Sequence, residues 1–416
     1  MELMVIIALL LITLGSALSF RVRWITLPIS VIALIMVSQI SGGKFLEYTG
    51  FVVVIAILNL LSLGIMKKSQ IKGVDFGLVA LIGSATIYIV FTKDLAMILT
   101  TFVVVSVPTY MLVFVNDDIP NVKIGIKYVT FMVLATILFV IGALILSYNH
   151  NNFNGTVYIL GYTLLIVGLA LEVGAAPLHI WAPDVFSNAD PIPVSIIASI
   201  AKIVPVVVAL KILIATTSPL TASASMIAVG IGLISMFTGN IGALTSRELG
   251  RVLAYSSTAN MGYIISAFVV LINPAFLPLA VAGILLQLIV NAAGKIGMFS
   301  AIKEGGGATH LMYLLALSFI GLPPLMGFWS KLFIAVSLIN VGYTWLALLL
   351  VLNSTISVPY YLRVARDLSG NWVLSLGTII GVVAALIMLV TLLPPSWFVS
   401  GVEKMMEFMT FNLGGM

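Results

Sequence analysis

Four ionisable side chains, Glu172, Lys202, Lys295 and Lys331, lie deep inside apolar stretches of a chain that otherwise keeps almost every charge in a short connection. A charge at bilayer depth is expensive unless it faces water or a partner, so a row of such residues marks a path for an ion. Two stretches of the chain pair these charges with interrupted helices. Residues 171–213 read LEVGAAPLHIWAPDVFSNADPIPVSIIASIAKIVPVVVALKIL; the run carrying Glu172 is interrupted at Pro177, passes His179 and Trp181, and restarts after Asp190, Pro191 and Pro193. Lys202 follows nine residues after Pro193, roughly 14 Å along a helix and so near the bilayer midplane. The second stretch, GLPPLMGFWSKLFI at 321–334, breaks at Gly321, Pro323 and Pro324, with Lys331 one to two turns later. Backbone groups freed at membrane depth are tolerated only in protein or beside a wet cavity, and ion sites favour such breaks.

The elements that must position these residues are apolar helices. Of the 416 residues, 61% are hydrophobic and 8% charged, against about 25% charged in a soluble globule, and the mean hydropathy is +1.23. The chain therefore reads as an all-α polytopic membrane protein, cut again and again into lengths of about 20 apolar residues by clusters of Lys, Arg, Asp, Asn and Gly. Fourteen spans are expected near 3–20, 24–41, 50–66, 74–91, 95–115, 124–147, 156–176, 191–214, 222–245, 252–272, 277–302, 311–340, 343–362 and 372–393. The alternation of a β-barrel is missing. The first stretch lacks a basic leader and a small-residue cleavage site before Arg21 and Arg23, so it is kept as a span. With no cysteine, and with His150, His179 and His310 scattered, no metal site and no cofactor is expected. No basic stripe interleaved with aromatics suggests nucleic acid.

Connections after odd-numbered spans hold Arg21, Arg23, Lys67, Lys68, Lys72, Lys123, Lys127, Arg247, Arg251, Lys303, Arg363 and Arg366, whereas the other side holds Lys44, Lys93, Lys211 and Lys404. The positive-inside rule makes the odd connections cytoplasmic and puts both termini outside. After Pro394 and Pro395, Trp397, Phe398, Val402, Met405, Met406 and Phe408 oppose Glu403, Lys404 and Glu407, as in a short amphipathic segment on the outer surface or a disordered tail. The breaks in spans seven and twelve are five spans apart, which gives the two segments opposite orientation, as an inverted repeat requires. Spans one to three (1–73) then flank a first five-helix repeat (74–215) and a second (222–367), with span fourteen and the tail at 368–416.

The segments APLHIWAPDVF followed by DPIPVS, GALTSRELGRVLAYSSTANMGYI (242–264), NAAGKIGMF (291–299) and GLPPLMGFWSKLFI together resemble one family. It comprises the antiporter-like proton-channel subunits of respiratory complex I, of membrane-bound hydrogenases and of Mrp-type sodium/proton antiporters. The resemblance covers residues 75–367, and the compact length looks most like the subunit N type of complex I. It implies that Lys202, Lys295 and Lys331 are the family's lysines of spans eight, eleven and twelve. The seventh-span lysine falls on Glu172, the fifth-span glutamate on Val103 before Ser106 and Pro108, and the histidine preceding the eleventh-span lysine on Asn291. His179, Asn291 and Tyr255 are candidate supports of the relay.

Each charge also has a plain structural explanation. Lys202 and Lys295 could snorkel from span ends, Lys331 could bond carbonyls freed by the helix break, and Glu172 could be a counter-ion for Lys202. His179 reads as a residue beside Trp181, Asp184 and Asp190 as helix caps, and Arg247, Glu248 and Arg251 as a loop anchor. Desolvated lysines and glutamates exchange protons near neutral pH, and the charge of one alters the next by Coulomb coupling, so a row of them can relay protons. The expected function is proton translocation as a subunit of a multi-subunit electron-transfer complex in a prokaryotic cell membrane or equivalent energy-coupling membrane. Its expected partners are further antiporter-like membrane subunits, lipid and, indirectly, peripheral redox subunits, because the chain carries no redox fingerprint of its own. Two rivals stand. A sodium/proton antiporter would want acids, and Glu172 reads as the only acid within a span; a structural subunit with a degenerate channel would account for Val103 and Glu172.

Overall fold

Apolar runs of this length in a bilayer satisfy their backbone polar groups by forming helices, and the computed structural model, which describes residues 2–42, 46–117, 119–151 and 153–410, is built almost wholly of them. In chain order they are α1 (Glu2–Leu18), α2 (Thr26–Ser38), α3 (Leu46–Leu63), α4 (Val74–Phe91), α5 (Leu95–Leu112), α6 (Val122–Asn151), α7 (Gly155–Val173), α8 (Trp181–Asn188), α9 (Pro191–Ala198), α10 (Ile203–Ala215), α11 (Thr221–Thr245), α12 (Leu249–Ser266), α13 (Leu277–Glu304), α14 (Thr309–Ile320), α15 (Met326–Asn340), α16 (Thr344–Ile356), α17 (Val358–Asp367), α18 (Leu376–Leu389) and α19 (Ser396–Met409). Among the described residues the extended structure is one two-residue parallel bridge, Gly307–Ala308 with Ser369–Gly370. Among the described residues nine helical stretches are long and apolar enough to cross a membrane, and six shorter apolar helices accompany them. The chain is an integral membrane protein with multiple spans. Lys44 and residues 411–416, used above for orientation and tail, lie outside the described residues.

Several spans depart from their sequence expectation, each for a local reason. The run expected at 191–214 bends at Ser199, where α9 stops and a 3₁₀ turn (Ile200–Lys202) leads into α10. The run at 343–362 is two helices meeting at Ser357 before Pro359, whose missing N–H suits a helix start. Within its described residues the tail is helical. It forms α19, which docks Phe398, Val402, Met405 and Met409 into the bundle, with Trp397 stacked on Phe51 of α3 and Phe408 edge-on to Phe91 of α4.

The connections sort into two ends. At one, Arg23 joins the Leu63 and Met66 carbonyls at the end of α3 to Asp75 on α4. Asp184 on α8 bridges Lys127 of α6 and Arg251 of α12 at 2.5 and 2.7 Å. Lys303 bridges Asp117 and Asp190 at 2.7 and 2.5 Å, and Arg363 takes the carbonyls that end α11. Asp190 caps α9 through the Ile192 amide as expected, whereas Asp184 is a salt-bridge hub and no cap. Asp75 is a second buried acid inside a helix, so Glu172 is not alone in that respect. At the other end α19 packs against α3, α4 and α10.

Candidate functional site

The two interrupted helices are built alike. α7 stops at Val173 because Gly174 takes the left-handed conformation (φ +72°), and the Ala175 amide reaches back to the Ala170 carbonyl. α14 stops at Ile320 because Gly321 does the same (φ +88°), with the Leu322 amide on Leu317. Such caps satisfy some terminal carbonyls and leave the last ones free, at the negative pole of the helix. A lysine fills each vacancy. Lys202 Nζ donates to the Val173 carbonyl at 2.7 Å and to Ser257 Oγ at 2.9 Å. Lys331 Nζ donates to the Phe319 and Ile320 carbonyls at 2.8 and 3.0 Å and to Ser354 Oγ at 2.8 Å. Gly321 also leaves the space this contact needs, since a Cβ there would lie 3.2 Å from Lys331 Cδ. A cavity of about 300 Å³ opens beside Lys331, between α14, α15 and α16.

Lys295, on α13, is fully enclosed and so does not snorkel to the surface; its Nζ donates to the Leu253 carbonyl at 2.6 Å and to Ser256 Oγ. The adjacent serines of α12 therefore touch different lysines. Each of the three ammoniums also lies over an aromatic face, Phe186 for Lys202, Phe319 for Lys295 and Tyr263 for Lys331, at 5.8, 5.3 and 5.2 Å. Among the described residues no carboxylate is within ion-pair reach of any of them.

A chain of buried polar side chains runs from α12, which holds Ser256, to Ser330, the neighbour of Lys331. Asn260 of α12, one turn after Ser256, donates to the Tyr361 hydroxyl at 3.2 Å. Gln287 of α13 donates to Asn260 at 2.8 Å, and Ser330, beside Lys331, donates to Gln287 at 2.5 Å. A second set runs from Tyr360, whose ring lies 4.4 Å from that of Tyr361, to Asn240 at 2.7 Å, and on to Asn353, the neighbour of Ser354. These groups come from α11, α12, α13, α15, α16 and α17, and each is buried.

The other expected residues are placed as follows. Glu172, at the end of α7, accepts from Ser106 Oγ of α5 at 3.1 Å, and its second oxygen is buried without a partner. It makes no ion pair with Lys202, which prefers the carbonyl of the next residue. That corrects the expected counter-ion: a carbonyl at a helix end and a hydroxyl take the place of the acid. Asn291 lies one turn before Lys295 but donates to the Ala198 carbonyl freed where α9 ends, 3.0 Å away. Tyr255 and His179 face one another with ring centroids 5.8 Å apart and reach none of the lysines, and Trp181 bonds the Leu171 carbonyl instead. Pro177 lies in the first break and Pro323 and Pro324 in the second.

Lys211 departs most from expectation. Counted above among the outer connections, it is fully enclosed on α10, and its Nζ donates to the carbonyls of Ile89, Val90, Thr92 and Phe408 at 3.1, 3.2, 2.7 and 3.1 Å. Three of those carbonyls come from the end of α4 and its cap and one from α19, so the packing of both against α10 creates the site. The serine partners of the lysines and the asparagine and tyrosine side chains of the buried polar sets near them are not among the expected residues, although the run YSSTANMGY at 255–263 is unusually polar for a buried helix.

The family described as NADH:quinone oxidoreductase/Mrp antiporter, transmembrane, matches residues 92–357. The chain is similar to NADH-quinone oxidoreductase subunit N 2 of Hydrogenobaculum sp. (strain Y04AAS1), 30% identical over 330 residues that cover 71% of this chain and 68% of that one. It is 26% identical over 371 residues to NADH-quinone oxidoreductase subunit N 1 of Rhizobium meliloti (strain 1021), covering 78% and 76%. Its fold matches a chain of an archaeal respiratory membrane complex, the membrane-bound sulfane sulfur reductase, with a TM-score of 0.82 at 18% identity over 98% and 97% of the chains. A chain of respiratory complex I from Thermus thermophilus matches with a TM-score of 0.74 at 22% identity over 94% and 98%.

Proposed function

This chain belongs to the NADH:quinone oxidoreductase/Mrp antiporter transmembrane family, and from that premise we propose that it conducts protons across the membrane as a non-redox subunit of a larger respiratory electron-transfer complex. The observation that carries the proposal is that Lys202, Lys295 and Lys331 are each buried on a serine hydroxyl and backbone carbonyl oxygen, with buried polar side chains of α12, α13 and α15 close by and, among the described residues, no carboxylate in ion-pair reach of any of them. Three ammoniums buried in neighbouring helices, each beside a hydroxyl that can donate as well as accept, are costly to keep when apolar residues could fill the same space, which favours a role in moving charge. In the relay Glu172 supplies an acid at the first break, and the lysines pass charge along their row. A change in the charge of one is felt by the next through a medium of low dielectric constant, which is how redox energy released on a partner would drive the row. Other subunits of such a complex, further antiporter-like membrane subunits among them, would adjoin this chain, and peripheral redox subunits would act on it through them.

Grouped by their breaks, the helices make fourteen crossings. The unit α4 to α10 and the unit α11 to α17 are then inverted repeats, flanked by α1 to α3 and by α18 with α19. The basic end, with Arg23, Lys127, Arg251, Lys303 and Arg363, faces the cytoplasm in this reading and the α19 end faces outward.

The test is proton pumping by proteoliposomes of the complex purified through this chain, followed with a pH-sensitive dye during turnover. Lys202→Ala and Lys331→Ala should each abolish pumping and leave electron transfer partly intact. Normal pumping by the assembled double variant would overturn the proposal in favour of a structural subunit. Pumping that requires sodium would point to the antiporter reading.

A further inference from the structure

All four enclosed lysines are held by neutral oxygen atoms, but the oxygens differ in kind. Lys202, Lys295 and Lys331 each have one serine hydroxyl among their partners, Ser257, Ser256 and Ser354 in turn. Lys211 has none; its partners are backbone carbonyls, two from α4, one from the residue after it and one from α19. A carbonyl can only accept, so it suits an ammonium and leaves the lone pair of a neutral amine facing another lone pair. A hydroxyl carries one donor and two acceptor sites, so it suits the lysine in either protonation state.

We infer that Ser256, Ser257 and Ser354 are switching partners that let their lysines exchange a proton, and that Lys211, caged by carbonyls, is a permanent cation that fastens α19. This rests on the relay reading above. Two of the three sites show the same triangle. Ser256 Oγ donates at 3.0 Å to the Leu253 carbonyl that also accepts from Lys295, and Ser354 Oγ donates at 2.9 Å to the Ile320 carbonyl that also accepts from Lys331. When the ammonium gives its proton to the next base of the relay, it becomes an amine with a lone pair. The serine O–H then rotates from the carbonyl onto that lone pair, and the amine keeps an N–H on the carbonyl. No bond in the serine breaks, and no buried polar atom loses its partner. When a proton returns to the nitrogen the hydroxyl rotates back. Ser256 and Ser257 are consecutive residues, about 100° apart around α12, which is how one helix serves both Lys202 and Lys295.

The experiment uses the same purified complex in proteoliposomes. Ser256→Ala, Ser257→Ala and Ser354→Ala should each lower the pumping rate by about tenfold, the loss of one hydrogen bond to a charged group, and change the pH at which pumping is half-maximal. Ser→Thr at each position, which keeps a hydroxyl, should restore both the rate and the pH profile. Lys211→Arg, which keeps the charge and cannot release a proton, should pump as the unchanged complex does, whereas Lys202→Arg and Lys331→Arg should not pump. The inference is overturned if the three serine-to-alanine variants pump with an unaltered pH profile. It is equally overturned if an assembled Lys211→Arg complex is as defective as Lys202→Arg. If Lys202→Ala and Lys331→Ala themselves pump normally, it is the relay reading that has failed.

Discussion

At the residue scale, the structure exchanges one kind of compensation for another. A buried ammonium needs acceptors, and in place of acids this protein offers the loose ends of helices: Val173 of α7 for Lys202, Phe319 and Ile320 of α14 for Lys331, and the ends of α4 and α19 for Lys211. Gly321 makes one of these sites possible through both its positive φ and its missing side chain. Gly321→Ala should therefore cost roughly 1 kcal/mol or more in stability, read as a lower midpoint in thermal unfolding of the purified protein, and should impair pumping by displacing Lys331. Glu172 is legible as a buried acid from its place in an apolar run, but its partner Ser106, sixty-six residues earlier, is not. Glu172→Gln retains an acceptor for Ser106 and loses the proton, so assembly should persist while pumping slows.

At the scale of elements, α19 and the salt-bridged connections carry the clearest consequences. Lys211→Met would leave the carbonyls ending α4 and α19 without their donor, at about 1–3 kcal/mol for a buried group left unsatisfied. Hydrogen exchange across 396–409 should rise in that variant while α12 and α13 stay protected. Asp117 lies in the connection after α5. Burial pushes its carboxyl up, but the Lys303 ammonium and the Lys68 amide outweigh burial and hold it below the ordinary aspartate range. The contact therefore contributes stability above the unfolded value, a pKa of about 3.9, and loses it as the pH falls through the lower folded value. The Lys68 amide, which donates to Asp117 at 2.9 Å, should lose its exchange protection in that acid window, and Lys303→Gln should move the onset to higher pH.

At the scale of the whole molecule, the two ends of the bundle differ in chemistry, one laced by Arg and Lys, the other closed by an amphipathic helix. With no native cysteine, single cysteines can report which end faces out. A membrane-impermeant maleimide added to intact cells should label a cysteine at Lys404 and miss one at Lys68; the reverse pattern would invert the orientation and the direction of any relay. Both positions are exposed, so accessibility itself does not decide the result.

Hydropathy is a local property that sums along the chain, and that is why the apolar spans, the buried Glu172, Lys202, Lys295 and Lys331, and the breaks at Pro177 and at Pro323 and Pro324 could be read without a fold. The bend at Ser199 left no such mark, because α9 and α10 are equally apolar on either side of it. Lys211 was misplaced for a related reason: it stands near the end of an apolar run, and it is buried by α4 and by α19, the latter folding back from nearly two hundred residues away. What tertiary structure alone decided is the identity of each lysine's partners. A serine or a carbonyl looks the same in sequence whether it faces lipid or an ammonium, and which it faces depends on how helices distant in the chain are rotated against one another. The choice between hydroxyl and carbonyl, on which the chemistry of each lysine turns, is therefore made by packing.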